Sequence, residues 1–231
     1  MPNDPASFLP RLKGRFVAFE GPDGSGKSTQ LRRLVALCQQ LSLPVCEVRE
    51  PGGTTVGEQV RQVLLSKDNA GMTLRCEMLL YMASRAQLVE ERIRPALASG
   101  QIVFADRFVS STYAYQGAAG GVPDADIHAV AQVACGRTLP DLVLVFDIDE
   151  HAAARRAGLA PTKGRKHDAG SGSLFSDRIE DRGRDFQRRV REGYLALAAK
   201  EPARHAVINA SAGPEDVWAS LLGSLERWLG A

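Results

Sequence analysis

The chain has 231 residues, a length that allows one α/β domain with a real core or two small ones. Its 44% hydrophobic and 24% charged content is ordinary for a soluble globular protein. A net charge of +2 gives no global attraction to nucleic acid or to a membrane surface, and neither is expected as a partner.

Residues 1–14 carry three prolines and no long apolar run. They read as a flexible tail before the first strand, neither a signal peptide nor a membrane anchor. Phe16-Val17-Ala18-Phe19 then has the length and composition of a buried strand. Directly after it, Gly21-Pro22-Asp23-Gly24-Ser25-Gly26-Lys27-Ser28 fits G-x-x-x-x-G-K-[ST] at every fixed position. Leu31, Leu34, Val35, Cys38 and Leu41 follow at helical spacing. A strand feeding a glycine-rich turn into a helix N-terminus is an anion site, because the first-turn N–H donors have no partner inside the helix. In this motif Lys27 reaches the β- and γ-phosphates and the Ser28 hydroxyl holds Mg²⁺.

Pro44 to Val48 reads as strand two, and the turn-rich Arg49 to Thr54 leads into a helix carrying Val56, Val60, Val63 and Leu64. A long helix is expected over about Thr73–Ser99, stopped by Gly100. Strand three, Ile102 to Ala105, ends on Asp106-Arg107, and a polar segment runs from Ser110 to Gly121. A helix over Asp124–Cys135 precedes strand four, Leu142 to Phe146. A short helix spans Glu150–Gly158, and Ala160–Ser176 is the least structured part of the chain. A helix over Asp177–Lys200, strand five at Ala206 to Ile208, and an amphipathic helix over Pro214–Leu229 close the chain.

Strands alternating with helices imply crossover connections. The expected fold is therefore a three-layer P-loop NTPase fold: a five-stranded, mainly parallel sheet with helices on both faces and a mobile lid. Residues 15–231 form a single P-loop domain, with the lid at about 155–177. Ligands on such sheets sit beyond the strand C-termini, which gathers Asp23, Arg49-Glu50, Asp106-Arg107 and Asp147 at one edge. The four cysteines, Cys38, Cys46, Cys76 and Cys135, form no C-x-x-C pair and suit a reducing compartment. The four histidines show no metal spacing, so no structural zinc is implied.

The phosphate loop alone permits a GTPase switch, an ATPase motor or a kinase. A guanine-reading N-K-x-D run is lacking, since Thr162-Lys163-Gly164-Arg165 has no aspartate. Four segments carry a closer resemblance: Phe19 to Thr29, Arg49 to Thr54, Tyr81 to Arg85, and Asp106 to Gly117. Through them the chain, from Arg15 to Leu229, resembles a bacterial-type thymidylate kinase (dTMP kinase) of the P-loop nucleoside monophosphate kinases.

That resemblance implies transfer of the γ-phosphoryl of ATP to dTMP, giving dTDP and ADP, by a cytoplasmic homodimer. Gly21, Pro22, Asp23, Gly24, Ser25, Gly26, Lys27, Ser28 and Thr29 would hold ATP. Arg107 would bind the acceptor phosphate, for which a guanidinium fork is suited. Tyr81, where the family usually has Phe, would stack on thymine, and Arg85, four residues on, would bond the base edge. Ser111, Thr112 and Gln116 would line the pyrimidine edge, and Tyr115 would lie under the deoxyribose. Arg61 matches a nucleotide-contacting arginine of relatives. Ser28, Asp106 and Glu50 would surround the metal, and Asp23 would lie between the acceptor and its shell. No basic residue occupies the variable loop positions Pro22 to Ser25, so the bacterial type supplies that charge from its lid. Arg155, Arg156, Lys163 and Arg165 are the candidates, with Lys27, Asp23, Arg107, Arg156 and Arg165 as the catalytic set. The lid is longer than the family pattern. A kinase for another nucleoside monophosphate such as dUMP, a deoxynucleoside kinase, and a non-catalytic P-loop nucleotide-binding protein remain the alternatives.

Overall fold

The computed structural model describes residues 4–156 and 182–230. The expected segment Ala160–Ser176, with Lys163 and Arg165, lies outside them, as does the start of the helix expected from Asp177.

Five strands, β1 (Phe16–Glu20), β2 (Val45–Arg49), β3 (Ile102–Asp106), β4 (Leu142–Asp147) and β5 (His205–Asn209), form one sheet in the order β2-β3-β1-β4-β5. Every pairing is parallel. β1 is central and buried along its whole length, as a strand covered on both faces must be. The register sets Phe19 beside Asp106 and Glu20 beside Val145. Acidic and basic strand ends therefore emerge at one edge on either side of β1, where the chain turns outward in both directions.

Alternation along the strands divides the core. Val17, Phe19, Phe104 and Leu144 pack with α2 (Lys27–Gln40) and α10 (Pro214–Gly230) on one face. Phe16, Ala18, Val103 and Val143 pack with α4 (Leu74–Leu88), α7 (Asp124–Cys135) and α9 (Gly183–Lys200) on the other. Four more helices after β1 are described, α3 (Thr55–Leu65), α5 (Arg94–Ala98), α6 (Val109–Thr112) and α8 (Glu150–Arg156).

Three expectations change. The N-terminal tail is ordered as α1 (Pro5–Phe8) and a 3-10 turn at Leu9–Leu12. Phe8, Leu9 and Leu12 are buried in the α2/α10 core. Pro5 and Pro10 sit at the start of these turns, where a missing N–H costs nothing, so they mark helix entry rather than disorder. The long helix forms in two parts, because residues 89–93 make a π turn in which the Arg94 N–H reaches the Val89 carbonyl. Pro95, without an N–H, breaks the regular ladder there.

The segment expected to be merely polar after Ser110 is also helical. α6 continues as a π-helical stretch, Tyr113–Ala118. Its small residues let α9 approach closely: a Cβ on Gly193 would lie 2.6 Å from the Ala118 Cβ. Tertiary packing thus overrides the weak helix propensity of Ser, Thr and Gly.

Leu12→Ala should lower stability by about 2–5 kcal/mol, the usual range for truncating a buried leucine. The exposed Lys13→Ala should change it by under ~0.5 kcal/mol. Urea unfolding of both variants checks this; equal, small effects would mean the N-terminal segment is not part of the core.

Candidate functional site

Beyond β1 the phosphate-binding loop turns sharply. Gly21 adopts φ +136°, and a Cβ there would lie 2.6 Å from the Phe146 carbonyl of β4. Only glycine allows so close an approach. α2 begins at Lys27, whose ammonium is buried 3.2 Å from Asp23 Oδ1 and 3.8 Å from Asp106 Oδ1. The Ser28 hydroxyl donates to Asp106 Oδ2 at 2.5 Å. The Ser25 hydroxyl is buried without a protein partner among the described residues. An orphan hydroxyl, a buried ammonium and the open N–H groups of a helix start together suit a polyphosphate.

Ser28 and Asp106 offer hard oxygen donors of the kind Mg²⁺ takes, with nucleotide phosphates and water filling the other positions. No cluster of three or more His, Cys, Asp or Glu suited to a metal occurs among the described residues. Glu50, expected beside the metal, is paired with Arg85. It accepts from Arg85 Nε at 2.8 and 3.0 Å. Both side chains are nearly inaccessible, at 3% and 1% exposure. Burial pushes the Glu50 carboxyl up to about 7 despite the Arg85 charge, and neighbouring Glu20 adds to the rise.

Arg107 follows β3 with φ +72°, a left-handed conformation unusual for a side-chain-bearing residue. Its Nη2 donates to Asp23 Oδ1 at 2.8 Å and to the Tyr115 hydroxyl at 3.2 Å. Its Nη1 donates to the Tyr194 hydroxyl at 3.1 Å and to Ser111 Oγ at 3.3 Å. The guanidinium also stands 5.2 Å from the Tyr115 ring centroid. Burial would raise the Asp23 carboxyl, yet the charges of Arg107 and Lys27 outweigh it and hold that group well below the usual carboxylate range.

These groups face a cavity of about 260 Å³. Asp23, Lys27, Ser28, Asp106 and Arg107 line one side of it. Glu50, Arg61, Tyr81, Ser111, Thr112, Tyr115 and Gln116 line the remainder together with Arg49, Pro51 and Leu65. The expected acceptor residues thus converge, with one exception. Arg85 lies behind the wall, donating to Thr112 Oγ1 and the Phe108 carbonyl, both at 3.1 Å. Arg61 lines the cavity while donating to the Pro51 carbonyl at 2.9 Å.

Two further residues take partners outside the cavity. Arg156, expected as a catalytic cation, donates to the carbonyls of Ala210 at 2.6 Å and Ser211 at 3.2 Å, which ties α8 to the end of β5. Asp147 pairs with Arg191 of α9 at 2.6 and 2.9 Å and does not line the cavity.

Sequence reasoning missed four residues beside the site. Glu20 is fully buried at the end of β1. It accepts from the Phe108 N–H at 2.7 Å, from Ser111 Oγ at 2.6 Å and from the Tyr194 hydroxyl at 3.0 Å. Burial raises its carboxyl against these hydrogen bonds and the Arg107 charge. Glu77 is fully buried too; it accepts from Gln116 Nε2 at 2.8 Å and pairs with Arg182. One signal was available: Glu77, Tyr81 and Arg85 recur every four residues along α4 and so share a face. Tyr194 and Arg182 lie on or beside α9, far along the chain, and no local pattern ties them to the site.

Comparison with known proteins agrees with this architecture. The family model described as thymidylate kinase matches residues 19–221. A thymidylate kinase of Solidesulfovibrio magneticus is 42% identical over 215 residues, covering 93% of this chain and all of the relative. One from Symbiobacterium thermophilum is 44% identical over 203 residues, 87% of this chain and 88% of the relative. The crystal structure of thymidylate kinase from Ehrlichia chaffeensis superposes with a TM-score of 0.70 at 28% identity, over 92% of this chain and 98% of that one.

Arg85→Met leaves the Glu50 carboxylate buried without its cation and should cost about 3–5 kcal/mol. Arg85→Met with Glu50→Leu should recover much of that loss, since the pair is then replaced by apolar groups. Urea titration of the single and double variants measures this. A double variant no more stable than the single one would show that the two residues do not act as a pair.

Proposed function

The chain belongs to the thymidylate kinase family, and from that premise we propose how its own residues perform the family's reaction. The protein transfers the γ-phosphoryl group of ATP to dTMP, giving dTDP and ADP. The observation that carries the residue assignment is one cavity walled both by Lys27 and Ser28 of the phosphate loop and by Arg107, Tyr81, Thr112 and Gln116.

In this reading the loop from Gly21 to Thr29 holds the donor phosphates, with Lys27 neutralising charge on the group in transit. Arg107 holds the acceptor phosphate. Asp23, Ser111, Tyr115 and Tyr194 fix its guanidinium by hydrogen bonds, so little reorganisation is needed on binding. Tyr81 stacks on the pyrimidine, Thr112 and Gln116 meet its edge, Tyr115 supports the sugar, and Arg61 closes the far wall. Arg85 acts from behind, steadying Thr112 and Glu50. Ser28 and Asp106 are the groups that would hold Mg²⁺, which when bound shields the phosphate charges. Arg165 is proposed as the lid cation. The acceptor phosphate is already anionic at neutral pH, so in-line positioning matters more than a general base.

A homodimer is proposed through the layer of α3, α4 and α7. Val56 and Val63 on α3, Leu79 on α4 and Val133 on α7 are exposed apolar side chains on that layer. Sedimentation of a Leu79→Glu variant as a monomer would support it, and an unchanged profile would count against it. A reducing, cytoplasmic location accords with the four unpaired thiols.

Lys27→Ala should lower kcat by at least about 100- to 1000-fold, the scale of losing one transition-state donor. Arg107→Ala should raise the KM for dTMP while leaving that for ATP near the parent value. Equal loss of ATP affinity would make Arg107 a structural residue. ADP release measured with dTMP, dUMP, dGMP and thymidine should be greatest with dTMP; no release with any acceptor would overturn the reading.

A further inference from the structure

We propose that Glu77 determines which pyrimidine the pocket admits by fixing the direction of the Gln116 amide, an inference that rests on Gln116 meeting the edge of the acceptor base. Glu77 is fully buried on α4. Its Oε1 accepts from Gln116 Nε2 at 2.8 Å, and its Oε2 pairs with Arg182 at the start of α9. The two ends of a side-chain amide are nearly equal in size, and only their hydrogen-bond partners distinguish them. A carboxylate paired with a guanidinium accepts and does not donate. The NH₂ end of Gln116 is therefore held toward Glu77, because a flipped amide would set two oxygens against each other.

The group that remains is the side-chain oxygen, Gln116 Oε1, which takes no hydrogen bond from the described residues, whereas the backbone carbonyl already accepts from the Val122 N–H. Gln116 lines the cavity alongside Tyr81 and Thr112, so this wall presents an acceptor. Thymine and uracil carry a donor, N3–H, on the edge that would meet it. Cytosine has a lone pair at N3. An acceptor fixed in place pairs with the first two bases and repels the third. Arg182 pairs with Glu77 Oε2 and leaves Oε1 to accept from Gln116, and α9 thereby takes part in base selection through a residue that touches no substrate. Glu77 is in this sense a positioning residue.

The test is kcat/KM for dTMP, dUMP and dCMP, measured on the full chain with ATP. Glu77→Gln is isosteric, but its amide can offer either end, so the Gln116 amide becomes free to turn its NH₂ toward the base. The dTMP-over-dCMP ratio should fall by about 10- to 100-fold, the scale of leaving one buried hydrogen-bonding group mismatched. The dTMP-over-dUMP ratio should stay unchanged, since both bases carry N3–H. The exchanged pair, Glu77→Gln with Gln116→Glu, should restore preference for dTMP. There the amide at position 77 donates to the new carboxylate, whose second oxygen accepts from N3–H. This pair also carries the test if the single variant does not fold.

A dTMP-over-dCMP ratio that is unchanged in Glu77→Gln would overturn the proposal. So would an equal loss with all three acceptors, which is what a purely structural tie between α4 and α9 predicts, or no recovery in a folded exchanged pair. Absence of dTMP turnover in the unsubstituted protein would instead overturn the assignment of the site.

Discussion

The site depends on where one guanidinium is held. Arg107 leaves β3 in a left-handed conformation, and that turn carries its side chain across the strand ends toward the phosphate loop. Its fork is shared among Asp23, Ser111, Tyr115 and Tyr194, which come from the loop after β1, from α6, from the π-helical stretch and from α9. A planar group with five fixed donors can join four elements in this way where an ammonium could not. The central strand β1 sets the distance, because its neighbour β3 is in register with it and delivers Asp106 beside Phe19.

Around that group the protein buries several charges, each with partners. Glu20 is surrounded by donors, Glu50 is matched to Arg85, and Glu77 is matched to Arg182. Isolated, any of these carboxylates would cost several kcal/mol to desolvate. Paired, they contribute less to stability than to direction, since hydrogen-bonded charges fix the rotamers of the side chains that face the cavity. Each pair spans two elements distant in sequence. The wall is therefore only as well formed as the packing of α4, α6 and α9 on the sheet.

The same packing explains the departures from local expectation. Ser, Thr and Gly after Arg107 have little preference for helix, yet Gly193 admits the Ala118 side chain, and α9 presses this stretch into helical form. Pro5 and Pro10 look like marks of disorder until the apolar residues at positions 8, 9 and 12 find the α2/α10 face. Arg85 reads as a base-edge ligand through the family resemblance, and its helical spacing after Tyr81 only sets the two on one face. Spacing gives a face and not a depth, and a neighbouring acid at Glu50 draws it behind the wall.

Sequence alone determined the five strands and their alternation with helices, the anion-binding turn at Gly21–Ser28, the gathering of strand ends at one edge, and the family. The first three follow from short-range signals, namely short apolar runs, period-3.6 apolarity, glycine-rich turns and residue types at fixed spacing, and the family came from the resemblance carried by four segments. Tertiary structure alone decided the pairing of Glu77 with Gln116, of Tyr194 with Arg107, and of Arg156 with the carbonyls after β5. Partners separated by tens of residues leave no local pattern. Burial converts a polar side chain from solvated to obligately paired, and which partner it takes is settled only when the layers close.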